Sequence, residues 1–262
     1  MFEKIKKRGF QVITLHHAEA ILTHDMADAV TELEKVLLAV EIPVEELVRG
    51  GGGEGEMTQR LRRALADDCG WTKHNFEIKK IVDGKEKESI SHEIDHVKRF
   101  PTGTFALEIE WNNKDPFFDR DLENFKRLHV DGVISIGAII TRGSTLQDSL
   151  RDVVATFARK HGINKPAALS TYYTPTKRQF GIIDKASKAK GTFEDGWAHA
   201  FVSDKFGEAT THWRKLEDRV RRGVGNPCPL LLIGIPKEVV VIRKGERSND
   251  RQDLQHRGAE SI

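Results

Sequence analysis

The stretch that decides the fold is FALEIEW, residues 105–111, in which bulky apolar side chains alternate with small or acidic ones. A period of two is typical of a β-strand, so the bulky residues from Phe105 to Trp111 share one face, and Glu108 and Glu110 share the other. The bulky face is expected to pack in the core. The pattern therefore predicts two carboxylates held side by side on a rigid strand, which is costly without a cation.

A third acid is expected to meet this pair from the preceding strand. That strand connects through a turn at Pro101-Thr102, and a hairpin centred on this turn places Asp95 opposite Glu108 and Glu93 opposite Glu110. Directly opposed like charges destabilise a sheet, whereas hard divalent cations take oxygen ligands. The hairpin therefore predicts a Mg²⁺ site. The alternative, acids on a solvated sheet surface, stays open at this point.

Composition restricts the class of protein. The chain has 262 residues with a mean hydropathy of −0.47, and no apolar run approaches the roughly 20 residues that span a bilayer. The 42 basic residues are nearly balanced by 40 acidic ones, so any affinity for nucleic acid has to come from local patches. Cys69 and Cys228 lie in no metal-binding or redox spacing, and the N-terminus lacks a secretory signal pattern. We expect a reduced cytoplasmic protein without a membrane span.

Three regions are expected along the chain. Residues 1–68 are predicted to be a helical region packed on the core, with the helical extension beginning near residue 16, because apolar residues between Met26 and Val40 recur at a spacing of three and four. Residues 69–242 are predicted to form the catalytic core. Residues 243–262 are polar and poor in bulky apolar side chains, which predicts a disordered tail.

The core is expected to be α/β, with a central mixed β-sheet flanked by helices on both faces. Short alternating runs predict strands from Phe76 onward, and continuous apolar runs are typical of strands that are buried on both faces. The remaining expected elements are a strand over 132–141, a strand over 229–235, helices over 116–129, 144–160 and 211–222, and a loop over 174–178.

A longer signature surrounds the acids, D-x₁₂-E-I-E-W-N-N-K-D-P-F-F-D-R-D-L, from Asp95 to Leu122. It resembles the PD-(D/E)XK nuclease core of type II restriction endonucleases related to BglII and BamHI. The segments GAIITRG (137–143), TTHWRKL (210–216) and CPLLLIGI (228–235) extend the resemblance over most of residues 15–236. The resemblance implies site-specific hydrolysis of double-stranded DNA that leaves 5′-phosphate ends.

The resemblance also implies roles for the acids. Asp95 and Glu108 would bind Mg²⁺, for which Mn²⁺ can substitute, together with the backbone carbonyl of Ile109. Glu110 stands where most of the superfamily has lysine, and it would either orient the attacking water as a general base or help to bind a second metal. Lys114 is a candidate for neutralising the scissile phosphate.

Further residues are assigned more weakly. Glu77, on the strand before the hairpin, could reach the site as an outer acid, and a solvated role is at least as well supported. Polar side chains at strand ends, helix starts and loops are candidates for DNA contacts, with asparagine suited to adenine and arginine to guanine or phosphate. These candidates, for each of which a solvated side chain is the alternative, are Asn112, Asn113, Arg120, Arg142, Lys177, Arg178 and His212.

Partners follow from the same resemblance. A two-fold protein matches a two-fold DNA site, so a homodimer that reads a short palindrome is expected. A cognate DNA methyltransferase is expected in the same bacterial or archaeal host.

A competing motif lies within the hairpin. Residues 92–96 read HEIDH, the H-E-x-x-H pattern that marks a zinc peptidase when it lies on a helix. The surrounding sequence favours a strand, in which His92 and His96 are about 13 Å apart and cannot share one zinc ion. A zinc metallopeptidase using His92, Glu93 and His96 and a DNA-binding protein that has lost cleavage remain the alternatives.

Overall fold

The apolar and alternating runs of the sequence form the strands of one mixed sheet. The computed structural model describes residues 1–50 and 54–243. The strands of this part of the chain are β1 (Gln11–Leu15), β2 (Ile42–Pro43), β3 (Thr72–Val82), β4 (Lys85–Phe100), β5 (Gly103–Glu110), β6 (Ile136–Arg142), β7 (Leu230–Ile235) and β8 (Val240–Val241).

Six of these strands make the central sheet, in the order β1-β7-β6-β5-β4-β3. Strands β5, β6 and β7 are parallel to one another, and the other neighbours are antiparallel. The prediction of a mixed sheet is therefore confirmed. Strands β2 and β8 form a separate parallel pair. In the β4–β5 hairpin, His96 lies opposite Leu107 and Phe100 lies opposite Gly103, which is the register that the turn at Pro101-Thr102 predicts.

Helices cover both faces of the sheet, as expected. Those in the described residues are α1 (Glu3–Lys7), α2 (Ala18–Ala20), α3 (Ala27–Leu38), α4 (Val44–Val48), α5 (Glu56–Arg63), α6 (Phe117–Val130), α7 (Ser144–Lys160), α8 (Lys177–Lys190), α9 (Phe193–Lys205) and α10 (Trp213–Arg221). Single π-helical turns follow α2 and α5, and short 3₁₀ segments lie at Pro166–Thr171 and Lys237–Val239. Across the residues described, no helix combines the length and apolarity needed to cross a membrane.

Two apolar clusters separate along the alternation of β5. Phe105 and Leu107 face the larger cluster, which contains α3, α7 and α9. Ala106 faces the smaller cluster, which is built by the apolar stripe of α6 and by Trp213 and Leu216 of α10. Because side chains alternate along a strand, Glu108 and Glu110 lie on the same face as Ala106, under α6. The fold therefore brings α6 over the acidic pair.

The N-terminal region differs from the prediction in two elements, the strands β1 and β2. Residues 1–68 are mostly helical, but Gln11–Leu15 form β1, which pairs with β7 at the edge of the central sheet. The prediction of a helical region does not hold for these residues, because a segment of five residues carries too little periodicity to separate strand from helix. Apart from Arg243, the predicted tail lies outside the described residues.

The C-terminal third is more regular than predicted. The expected loop over 174–178 contains the start of α8. There the Thr176 side chain accepts a hydrogen bond from the backbone N–H of Gln179, and the Gln179 side chain accepts one from the backbone N–H of Thr176. This capping box was a signal in the sequence. Gly181 inside the helix lowers its intrinsic propensity and weakens the pattern.

Candidate active site: buried carboxylates beside a cleft

The hairpin brings Asp95 to Glu108. The backbone N–H of Asp95 donates to Oε1 of Glu108 at 3.4 Å. The Asp95 side chain is 55% exposed, whereas Glu108 is only 4% exposed. The two acids therefore meet at the boundary between solvent and the interior, as the hairpin register predicts.

Glu110, the last residue of β5, is also buried. Its Oε2 accepts a hydrogen bond of 2.7 Å from Nδ2 of Asn113, and its Oε1 lies 3.6 Å from Nη2 of Arg120. With Glu108 and Glu110 at 4% and 3% exposure, the interpretation of a solvated acidic surface is wrong. Helix α6 covers this face of the sheet, which the strand pattern alone does not show.

A further acid, Asp121 on α6, was missed by the sequence reasoning. It is 1% exposed, and Nε of Arg120 donates to its Oδ1 at 2.8 Å. Nη2 of Arg120 contacts both Asp121, at 2.7 Å, and Glu110, at 3.6 Å, so the two carboxyl groups lie close together. The sequence did contain a signal for Asp121, because it falls between Phe118 and Phe125 on the apolar stripe of the helix. A charged residue at such a position is rarely buried unless it is paired.

The acids perturb one another strongly. Burial, followed by the charges of Asp121 and Asp95, raises the pKa of Glu108 to about 10. Burial and the neighbouring Asp121 raise the pKa of Glu110 to about 8, and burial also raises the pKa of Asp121. Removing several carboxylates from water without matching positive charge favours their protonated forms. A divalent cation among them would reverse this effect.

A strap over residues 207–212 holds the loop after β5. The backbone N–H of Asn113 donates to Oγ1 of Thr211 at 3.1 Å, and the N–H of Thr211 donates to the carbonyl of Asn113 at 2.8 Å. Arg142 donates from Nη2 to the carbonyl of Thr211 at 2.7 Å and to Oγ1 of Thr210 at 2.6 Å. A continuous chain of hydrogen bonds therefore runs from Arg142 through the strap and Asn113 to Glu110.

Two predicted DNA contacts are fully buried. Arg142 and His212 are 0% exposed. Burial lowers the pKa of Arg142 to about 9 and, with the charge of Arg142, lowers the pKa of His212 to about 4. Neither side chain reaches a surface that DNA can touch in this structure, and Arg142 instead supports the strap.

The other predicted contacts are placed differently. Asn113 and Arg120 are bound to the acids, as described above. Asn112 lies half-buried at the wall of a cleft, and Lys177 and Arg178 are exposed on the first turn of α8. Their roles in DNA binding stay predictions.

The cleft lies beside the acids and has a volume of about 1750 Å³. Asp95, Asn112 and Asn113 line the cleft, and so does Tyr173. Lys73 of β3, a residue that the sequence reasoning missed, also lines it and lies 3.7 Å from Asp95. Asp95 is therefore the acid that connects the buried carboxylates to the open cleft.

Some weaker assignments move away from the site. Glu77 lies opposite Ser91, four residues before Asp95 on β4, and its carboxylate is 3.2 Å from Nζ of Lys79. At the rise of a strand this separation is about 13 Å, so the suggested outer role is not supported. The β4–β5 pairing ends at His96, and Glu93 contacts Lys73 at 2.7 Å instead of facing Glu110.

Lys114 and Ile109 are the two remaining predicted site residues. Lys114 is exposed and its backbone pairs with Thr210 of the strap. Ile109 lies between the two glutamates on β5, with its side chain in the larger apolar cluster. The roles of the Lys114 side chain and of the Ile109 carbonyl stay predictions.

The HEIDH segment belongs to β4, not to a helix. His92 and His96 are both buried, and Nδ1 of His96 lies 3.3 Å from the carbonyl of Leu107. Burial lowers the pKa of His96 to about 4, so it is a neutral strand residue. The zinc peptidase alternative therefore has no structural support.

The chemistry of the donor set decides whether a cation fits. Within residues 1–50 and 54–243, no three metal-binding side chains already converge on one point. The buried oxygens nevertheless fit a hard cation, because Oδ2 of Asp121 is buried without a hydrogen-bond partner and carboxylate oxygens are the ligands that such a cation prefers. Asp95, Glu108, Glu110 and Asp121 are the residues that could hold one.

A mixed sheet flanked by helices, with clustered acids at a strand end beside an open cleft, is compatible with a nuclease. The sequence matches the family described as restriction endonuclease BglII/BglIII over residues 10–235, and the chain belongs to this family. It is a type II site-specific deoxyribonuclease, a hydrolase that acts on double-stranded DNA. Restriction endonucleases of this family generally use a divalent metal. No curated protein sequence matches the chain.

Proposed function

We propose that this enzyme is a Mg²⁺-dependent nuclease of the PD-(D/E)XK type that cleaves a short palindromic DNA site and leaves 5′-phosphate ends. One observation carries the proposal. Glu108 and Glu110 are buried together at the end of β5 with Asp95 alongside, and among the described residues Arg120 contacts Glu110 and Lys73 contacts Asp95, whereas no basic side chain contacts Glu108.

The metal would be held by Asp95, Glu108 and the backbone carbonyl of Ile109, and Mn²⁺ could replace Mg²⁺. When bound, it would supply charge neutralisation at the phosphoryl oxygens and a water of lowered pKa. The rigid pairing of β4 with β5 fixes the spacing of Asp95 and Glu108 before any ligand binds.

Glu110 would act on the proton of the attacking water. Its Oε2 is held by Asn113, which leaves Oε1 directed toward Arg120. Without a cation, burial and the neighbouring Asp121 raise the pKa of Glu110 to about 8, and a bound cation would lower it toward the ionised form that a general base requires. In the alternative role, the Glu110 carboxylate would be a ligand of a second cation, and the same geometry suits that role.

DNA would approach along the cleft. Asn112 lines this cleft and would contact a base edge, while Lys114, Lys177 and Arg178 are exposed and would contact phosphates. We further propose a homodimer that matches the two-fold symmetry of the site. A cognate methyltransferase would protect the DNA of the bacterial or archaeal host, in whose cytoplasm the enzyme would act.

Plasmids of varied sequence, incubated with the protein and Mg²⁺, test the proposal. Discrete bands are expected, and end sequencing should find 5′-phosphates at one repeated site. Glu108→Ala should abolish the bands, whereas the control Glu77→Gln, on an exposed acid of β3, should leave them. Equal cleavage by Glu108→Ala, or no cleavage of any plasmid or genomic DNA with Mg²⁺ or Mn²⁺, would contradict the proposal.

A further inference from the structure

Asp121 is a buried acid to which the sequence resemblance assigns no role. It lies in the second turn of α6, is 1% exposed, and packs among the apolar residues that the helix presses onto the sheet. An acid is rarely placed in such surroundings unless it is paired. Its surroundings therefore need an explanation beyond the packing of α6.

Only one of the two carboxylate oxygens of Asp121 has a hydrogen-bond partner. Arg120 contacts Oδ1 from both Nε, at 2.8 Å, and Nη2, at 2.7 Å. Oδ2 is buried and receives no hydrogen bond from any residue that the structure describes. A buried acceptor without a donor is costly, so Oδ2 points to a partner of another kind.

The position of Asp121 identifies that kind of partner. Nη2 of Arg120 lies 2.7 Å from Oδ1 of Asp121 and 3.6 Å from Oε1 of Glu110, so the two carboxyl groups lie side by side around one guanidinium. Two carboxyl groups in contact are stable only when a proton or a cation lies between them. A hard divalent cation, which prefers several carboxylate oxygens, satisfies Oδ2 and both glutamates together.

We propose that Asp121 supplies a further carboxylate to the divalent-cation site, and that the guanidinium of Arg120 competes with the cation for it. This inference rests on the proposed function, since it takes the cation site at Glu108 as given. Arg120 is suited to give way because its side chain is 53% exposed and can turn toward solvent without leaving the protein surface. Cation binding and release of Arg120 are then linked.

The competing explanation is that Asp121 only positions Arg120. The two explanations differ in what the removal of Arg120 does. If Asp121 acts through Arg120, then Arg120→Met should weaken cation binding as much as Asp121→Asn does. If Asp121 binds the cation itself, Arg120→Met should tighten binding, because a competing positive charge is lost.

Isothermal titration of Mn²⁺ into the full-length protein, without DNA, measures the difference. Asp121→Asn is expected to weaken Mn²⁺ binding by roughly ten- to a hundredfold. Arg120→Met should strengthen it severalfold. The matched control is Glu123→Gln, which removes a half-exposed acid from the same helix and should leave the dissociation constant unchanged.

Glu108→Gln is measured in parallel, so that failure of this inference can be separated from failure of the proposed function. If Glu108→Gln loses Mn²⁺ and Asp121→Asn does not, Asp121 is not a ligand and the proposed function stands. If neither variant loses Mn²⁺, both are overturned. Should Asp121→Asn fail to fold, Arg120→Met still decides, since weakened binding in that variant would overturn the inference.

Discussion

The two faces of β5 place neighbouring residues in equally buried but opposite surroundings. Leu107 is 0% exposed and Glu108 is 4% exposed, although one is apolar and the other ionisable. Leu107 belongs to the larger apolar cluster, which surrounds it completely. Glu108 lies under α6 near Asp121, and burial there disfavours its charged form and raises its pKa to about 10. Burial stabilises the fold on the first face and opposes it on the second.

This difference shows which face is there for stability and which for chemistry. Apolar burial lowers the free energy of the folded state in proportion to the area removed from water. Buried carboxylates raise it unless a cation or proton compensates, so such acids persist where activity requires them. Substitutions on the two faces should therefore have opposite effects on stability and on cleavage.

The largest effect is expected from Glu108→Gln. Cleavage should fall by roughly a thousandfold or more, because a charge that binds the metal is lost. The unfolding free energy of the metal-free protein at about pH 7.5 should rise, since glutamine is neutral where glutamate has to be protonated. Plasmid cleavage and urea denaturation measure the two quantities. Glu93→Gln, on an acid that is 60% exposed, is the control and should change neither strongly. A less stable Glu108→Gln protein would argue against the comparison.

Leu107→Ala should lower stability and leave cleavage nearly unchanged. Truncating this buried side chain should lower the unfolding free energy by about 2–5 kcal/mol through lost burial and a cavity. Cleavage by the folded fraction at low temperature should stay within a fewfold of wild type, because the acids lie on the other face. Ile81→Ala, at a position that is 63% exposed, is the matched control and should stay within about 0.5 kcal/mol of wild type. A catalytic loss in Leu107→Ala as large as that in Glu108→Gln would break the distinction between the faces.

The hairpin shows how much of the site could be predicted from local sequence. A strict period of two fixes which residues share a face, and the turn at Pro101-Thr102 fixes the register that brings Asp95 to Glu108. Both signals lie within one short segment. The buried strands β6 and β7 were also predictable, because continuous apolar runs are typical of strands that are covered on both faces.

The remaining features depend on distant parts of the chain. Whether Arg142 points to DNA or into the protein is decided by Thr211, which lies 69 residues away and accepts its hydrogen bond. Glu110 is buried because α6 folds back over its face, and Asp121 joins it by the same packing. Strand β1 is too short to be distinguished by pattern and is fixed by its pairing with β7. Tertiary contacts of this kind leave little trace in local periodicity.

The acidic face also predicts how stability depends on pH. Glu110 has a pKa of about 8 and Glu108 of about 10 in the fold, against an ordinary value of 4.5. The folded protein therefore holds more protons than the unfolded chain above about pH 4.5, so stability falls as pH rises toward 8. The expected slope is about 1.4 kcal/mol per pH unit for each such acid, as an upper limit.

Thermal denaturation with a metal chelator, between about pH 5 and pH 8, measures this slope. The double variant Glu108→Gln, Glu110→Gln should flatten it, since its side chains do not titrate. Added Mg²⁺ should also flatten it in the wild type, because a bound cation favours the ionised carboxylates. A wild-type profile without any fall, or an equal fall in the double variant, would show that these acids do not control stability.

The smallest expected effect tests whether the acidic face depends on its distant support. Thr211→Val keeps the shape of the side chain but removes the hydroxyl that accepts from the backbone N–H of Asn113. The loss of this hydrogen bond should cost about 1 kcal/mol of stability. Because Asn113 in turn donates to Glu110, the cleavage rate of the folded protein should also fall a fewfold. The control Thr145→Val, at an exposed threonine of α7, should not change the cleavage rate. Comparing rates at equal folded fraction separates the two effects. If only stability changes, Asn113 holds Glu110 without help from the strap, and the acidic face is organised locally.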